Sequence, residues 1–268
     1  MKYAFSTLGL PGTPLDRSAG LAATHGFDGL ELRAHAEEPL HPDSSPAERA
    51  AGLRTLTRQG VRVLGVAGYV RVAAAGADEP VLADLRGLVR LASDLEAPYV
   101  RVFPGGAALP SAAADAHAVR RLLATAPYAE RHGVRVLLET HDSHRTGEAV
   151  ARVLDRVARP GAGALWDVLH TWLGGETPAE SRRALGAHVG YVQVKDVASA
   201  RELTPVGLGS GVLPLAEAVA SLPADGWVCW EYEKRWYPEA PELAGQLARG
   251  RRYLQELEAG RTAGTPAE

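Results

Sequence analysis

Short apolar runs alternate with amphipathic stretches along the whole chain. The runs near 2–6, 28–32, 61–66, 98–103, 134–139, 163–167, 189–195 and 227–231 have strand character. The stretches between them have helical character. Over 112–131, Val119, Leu122, Leu123 and Ala126 recur at helical spacing, and Gly133 follows as a stop before the next run. The same helix-to-strand join recurs at Gly60, where the pentapeptide GVRVL at 60–64 matches the one at 133–137. Each strand–helix unit takes about 30 residues or more, so this rhythm predicts a (β/α)8 barrel in one domain over 1–258. A flexible polar tail is expected over 259–268. The segments 34–48 and 68–80 read as long loops at the mouth that could cover it.

Composition narrows the class. The 268 residues suit a barrel of about 250. A formal charge of -3 gives no basic field for nucleic acid. The single cysteine, Cys229, cannot form an internal disulfide, which fits a cytoplasmic protein. No apolar run approaches about 18 residues, so no membrane span is expected. Among the 29 basic residues only Lys2, Lys195 and Lys234 are lysine. Arginine is therefore a compositional habit of this chain, and the rare lysines carry more information.

The chemistry gathers at strand ends. Glu139, Asp167, Gln193 and Glu231 close the runs VRVLLE, GALWD, VGYVQ and WVCWE. Side chains at the C-terminal ends of parallel barrel strands converge on one mouth. A single strand-end acid is ordinarily a helix cap or a surface group. Four oxygen donors at the same place in successive units point to a divalent cation that offsets the crowded carboxylates. The alternation of strand side chains carries Leu137, Tyr191 and Cys229 into the barrel interior with them. If Gln193 binds through its carbonyl, the donor set is all oxygen. It then favours Mn²⁺ or Mg²⁺, with Zn²⁺ or Co²⁺ as alternatives.

The motifs LETH at 138–141, WDVLH at 166–170, YVQVKD at 191–196, VGLGSG at 206–211 and WEYEKRWYPE at 230–239 resemble one family. It is the sugar-phosphate isomerase/epimerase group of xylose-isomerase-like TIM barrels. The resemblance covers nearly the whole chain. It implies that Glu139, Asp167, Gln193 and Glu231 hold one divalent metal, and that Glu139 and Glu231 border the carbon that exchanges its proton. Most members carry histidine where this chain has Gln193; the hydroxypyruvate isomerases carry glutamine. The resemblance further implies that His170 contacts substrate.

The implied activity is isomerisation or epimerisation of a small sugar, sugar derivative or keto-hydroxy acid. The chemistry is proton abstraction through a metal-stabilised enediolate, with Glu139 and Glu231 as the proton-transfer pair. Candidate substrate contacts are His170, Lys195, Glu31, His141 and Trp236. Each has a plainer reading: loop packing for His170, helix entry for His141, charge balance for Lys195, a pair with Arg33 for Glu31, a packed lid for Trp236. His144 reads as solvated. Asp196 is expected to organise the loop after it, and GLGSG at 207–211 to form a turn. A dehydratase of a related polyol or keto substrate would share the first step. An apurinic endonuclease uses the same barrel but needs three metals and further histidines. LGVAGY at the third strand end supplies none. The expected partner is a small carbohydrate-like molecule rather than nucleic acid or membrane. Dimers and tetramers are common in the family, so a homo-oligomer is allowed.

Overall fold

The computed structural model describes residues 1–263. Eight parallel strands close into a barrel: β1 (Lys2–Ser6), β2 (Gly29–Arg33), β3 (Arg62–Arg71), β4 (Tyr99–Phe103), β5 (Arg135–Glu139), β6 (Ala162–Asp167), β7 (Val189–Val194) and β10 (Trp227–Trp230). The helices between them are α1 (Leu15–Thr24), α2 (Pro46–Arg58), α3 (Asp78–Asp94), α4 (Ser111–Arg131), α5 (Gly147–Val157), α6 (Val168–Leu173), α7 (Pro178–Leu185) and α8 (Leu215–Ala220). A final helix, α9 (Leu247–Ala263), continues through the first residues of the segment expected as a tail. Residues 264–268, the rest of that segment, lie outside the described residues. An antiparallel hairpin, β8 (Val197–Ser199) with β9 (Glu202–Pro205), rises between β7 and β10.

Local chemistry sets the joins. Ser45 and Glu48 form a reciprocal capping box at the start of α2, with Pro46 in its first turn, and Thr177 and Glu180 do the same for α7. Gly60 and Gly133 both have positive φ, at 69° and 67°, where a residue with a Cβ would be strained. Those two glycines end the two helices that precede the repeated GVRVL.

The core has two parts. A large cluster fills the space between barrel and helices. A smaller one, Ala4, Leu64, Leu137, Leu165, Tyr191 and Cys229, plugs the barrel itself. The alternation expected from sequence is thus present: Leu137, Tyr191 and Cys229 point inward one layer below the acids. The large cluster includes Val119 and Leu122, but Leu123 is exposed.

Strand β3 extends four residues beyond the rim into the segment expected as a loop. It does so by pairing Arg71 with Phe103 after an irregularity in register. The turn that follows is held by Arg121 of α4, which is fully buried. Its guanidinium donates to the carbonyls of Val72, Ala74 and Gly76 at 3.1, 2.7 and 2.8 Å, and to Asp78. Replacing Arg121 by methionine would leave these acceptors without a donor. Stability should fall by about 1–3 kcal/mol, readable as a lower urea midpoint at unchanged m-value. No helix among the described residues is long and apolar enough to cross a membrane.

Candidate active site

Glu139 ends β5, Asp167 ends β6, Gln193 lies one residue from the end of β7, and Glu231 follows β10 directly. In the register Asp167 pairs with Gln193, while Gln193 pairs with Cys229, two residues before Glu231. All four are buried at the C-terminal mouth of the barrel. They sit at the foot of a cavity of about 570 Å³ whose wall includes Glu139, Glu231, His141 and His170.

Two cations are threaded among these acids. Lys195 places its Nζ 2.8 Å from Asp167 Oδ2 and 2.7 Å from Glu233 Oε1, and it donates to Glu231 as well. Arg101, at the middle of β4, sets Nε 3.2 Å from Glu139 Oε2 and Nη2 3.7 Å from Glu231 Oε1. Its Nη1 donates to the Gly68 carbonyl at 2.9 Å. Burial alone would lower the pKa of Lys195, but Asp167, Glu231 and Glu233 outweigh it and hold the ammonium well above its usual value. A permanently charged lysine is unsuited to Schiff-base chemistry.

Asp167 does two jobs. Its Oδ1 accepts from the Leu169 and His170 amides at 2.8 and 3.3 Å, capping α6. That fixes the carboxylate and aims Oδ2 at Lys195. The plain reading of a strand-end acid as a helix cap is satisfied, and the second oxygen is left free to face Lys195.

Three buried oxygens in this group receive no directed hydrogen bond: Glu139 Oε2, Asp167 Oδ2 and Gln193 Oε1. The two carboxylate oxygens have ion-pair partners, Arg101 Nε at 3.2 Å and Lys195 Nζ at 2.8 Å, while Gln193 Oε1 has none. A buried acceptor without a partner is uncommon, and a divalent cation is chemically suited to all three oxygens. The donor set therefore fits a metal. Among the described residues, the side chains whose ligand atoms come within 4.8 Å of one another are a different trio: Glu139, His141 and His170. Lys195 stands between Asp167 and Glu231, and Arg101 between Glu139 and Glu231, which keeps the expected carboxylates from closing into one group.

The other expected contacts divide. His141 and His170 pack with tilted rings, centroids 4.0 Å apart, on the cavity wall, and His141 packs on Phe103 at 4.6 Å. Burial, with His141 and Lys195 nearby, pushes His170 well below the usual histidine value, so its ring is neutral. Burial opposes charge on His141 too, but Asp142, Glu139 and Asp167 outweigh it and raise its pKa. Trp236 is half exposed at the cavity rim, its ring 5.7 Å from the Arg33 guanidinium. Lys195 is in the site but beneath the cavity wall.

Glu31 is not on that wall. Strand β2 runs on to Arg33, so Glu31 lies two residues below the strand end, fully buried. It does not pair with Arg33, which binds Tyr69 and Glu38 instead. Glu31 accepts from the Tyr191 hydroxyl and from Gln193 Nε2 at 2.9 and 3.1 Å. Nε2 also reaches Glu231 at 3.2 Å. The amide nitrogen is thereby committed to acids, and the carbonyl oxygen is turned away from them. Burial and the nearby Glu231 charge raise the pKa of Glu31.

His144 is not solvated. It is buried, with Nε2 2.9 Å from Asp115 Oδ1 and Nδ1 2.9 Å from Ser143 Oγ, and it fastens the loop after β5 to α4. Asp196 accepts from the amides of Gly209, Gly211 and Leu213, so the GLGSG turn is wrapped around it. Sequence reasoning missed Arg101 and Glu233. A charged residue inside the buried run YVRVF was the available signal for Arg101.

The family model for xylose isomerase-like TIM barrels matches residues 19–257. The chain belongs to that family. No curated protein matches it by sequence. Several solved structures share its shape at low identity. One is the probable 3-DHS dehydratase AsbF of Bacillus anthracis, with TM-score 0.79, 18% identity, and 95% and 99% of the two chains covered. A D-psicose 3-epimerase studied with D-fructose aligns at TM-score 0.78 and 15% identity, covering 98% of this chain and 100% of its own. The IOLI protein with a bound zinc atom aligns at 0.80 and 19%, covering 97% and 99%. At such identities the likeness establishes the fold.

Proposed function

We propose that this protein is a divalent-metal-dependent isomerase or epimerase of a small sugar, sugar derivative or keto-hydroxy acid. The observation that carries the reading is the position of Glu139 and Glu231. They face one cavity from separate sectors of the barrel mouth, with Arg101 in contact with both. A carboxylate on either side of a bound α-hydroxy carbonyl can remove its C–H proton from one face and return it from the other. Arg101 lies beside both acids and Lys195 beside Glu231, and the two cations offer positive charge near the developing enediolate. Neutral His170 can donate to or accept from a substrate hydroxyl, and His141 and Trp236 wall the cavity.

Glu139, Asp167, Gln193 and Glu231 would hold the metal, manganese or magnesium by their oxygen chemistry. When bound, the cation supplies positive charge to the substrate's oxygens. The Glu139, His141 and His170 trio is the competing arrangement, and its two nitrogens favour zinc or cobalt. An anomalous-scattering map of metal-soaked crystals separates the two by where the peak falls.

Deuterium uptake from D₂O into a panel of ketoses and keto acids, with Mn²⁺ added, tests the activity. Uptake with conversion to an isomer supports the proposal. Uptake followed by loss of water would make the protein a dehydratase. No uptake with any compound, alongside cleavage of abasic-site DNA that disappears in Glu231→Gln, would replace the reading with an endonuclease.

The orientation of Gln193 gives a separate check. Glu31→Leu removes the closer of the two acids that hold the amide nitrogen, so the carbonyl is less firmly aimed. Metal affinity measured by calorimetry should fall about 10–100-fold, the usual loss for a residue that orients a ligand. An unchanged affinity would mean that Gln193 does not bind the metal. Gln193→His should keep the metal but shift preference towards zinc.

A further inference from the structure

Three arginines line the cavity: Arg33, Arg71 and Arg101. Two are committed within the protein. Arg101 serves Glu139, Glu231 and the Gly68 carbonyl, while Arg33 serves Tyr69, Glu37 and Glu38. Arg71 has no ion pair or side-chain hydrogen bond among the described residues. It is exposed at the end of β3, where that strand overshoots the barrel rim.

Its placement is nonetheless built. A Cβ on Gly105 would lie 2.5, 2.6 and 2.7 Å from the Cβ, Cγ and Cδ atoms of Arg71. The arginine stem thus lies directly on the Gly105 backbone, in space that only glycine leaves open. Gly105 is itself fixed, because its amide donates to both carboxylate oxygens of Asp142 at 3.0 and 3.1 Å. On the other side Arg121 ties down the turn that follows Arg71. A cation held by its stem on the cavity wall, with its donors unmatched, is suited to a ligand anion.

We infer that the substrate carries an acid group, a carboxylate or a phosphate monoester, and that Arg71 receives it. This rests on the proposed isomerase or epimerase reading of the same cavity. The carboxylates at the cavity foot repel such a group, and Arg71 attracts it at the rim. The substrate is thereby oriented with its anionic end outward and its hydroxy-carbonyl end at Glu139 and Glu231. The volume of about 570 Å³ suits a molecule of that size. Arg71 selects the substrate and sets its direction.

The test uses Mn²⁺-loaded protein, neutral ketoses, their terminal phosphates and the matching keto acids, with deuterium uptake as the readout. Wild-type protein should prefer an anionic member of each set, and the phosphate and keto-acid arms identify which acid group it takes. In Arg71→Met the preference should collapse on the order of 10–100-fold, the scale of a lost hydrogen-bonded ion contact, through KM rather than kcat. Arg71→Lys should recover part of it. A wild-type preference for neutral ketoses, or an Arg71→Met variant with undiminished preference, overturns the inference. A second arm needs no turnover. Calorimetry with inorganic phosphate and with malonate should show binding to the wild type that is lost in Arg71→Met. Equal binding by both proteins, or none by either, overturns it as well. Absence of deuterium uptake with binding at Arg71 intact would refute the isomerase reading alone.

Discussion

Glu139→Gln should slow deuterium uptake into the substrate by about 10²–10⁴, the usual contribution of a positioned general base. The amide keeps an oxygen donor for a metal but has almost no basicity. Burial pushes the Glu139 carboxyl up to about 8, with Arg101 and His141 pulling it back down and Glu231 and Asp167 raising it further. A base with a pKa near neutrality is well matched to abstracting a weakly acidic C–H proton. The sign of the pH dependence follows. Uptake should fall as pH drops through that pKa, because the base becomes protonated, and bound metal should move this limb to lower pH. The glutamine variant should lack the limb. Glu231→Gln should show a loss of similar size, with a different face of the substrate affected. NMR of the exchanged carbon reads both effects, with metal content measured in parallel. Near-normal uptake by metal-loaded Glu139→Gln would remove it from the proton-transfer role.

The strand rhythm was legible because parallel barrel strands are buried on both faces and stand out as continuous apolar runs. The positions of Glu139, Asp167, Gln193 and Glu231 at the barrel mouth were legible for a related reason: each interrupts such a run at or near its end. What escaped notice depends on register or on the third dimension. Glu31 stands inside GLELR, and the run alone does not say whether Glu31 or Arg33 is the last strand residue. The structure puts Arg33 on the cavity wall and Glu31 one layer lower, where it accepts from Gln193. The overshoot of β3 arises from pairing with Phe103 across an irregularity, for which GYVR carries no signal. The hairpin β8–β9 also went unseen, although Leu203 from it reaches the cavity. Arg101 was hidden by abundance: in a chain so rich in arginine, one more inside a strand did not stand out. Lys195 was visible because lysine is rare here, and the structure adds Glu233 as a third carboxylate at its ammonium.

Lys195→Met should be among the most damaging single changes to the fold. The ammonium touches Asp167, Glu231 and Glu233, and both it and the first two acids are buried. Removing one partner of a buried ionic group leaves charges with neither water nor counter-ion, at a cost of about 3–5 kcal/mol. The pH dependence separates this from simple loss of packing. In the wild type the lysine pKa is raised above its value of 10.5 in the unfolded chain. Its stabilising contribution is therefore complete below that pH and is lost as pH rises through the higher folded value. The deficit of the variant is therefore complete at neutral pH and shrinks as pH rises through the lysine's raised pKa. Denaturant titrations of both proteins from pH 7 upward should show their stabilities converging towards the alkaline end. Added Mn²⁺ should also narrow the gap at neutral pH, because a cation bound by Asp167 and Glu231 replaces part of the missing charge. A deficit that is constant with pH and indifferent to metal would mean that Lys195 contributes only its hydrocarbon stem, and that Asp167 and Glu231 do not share a cation.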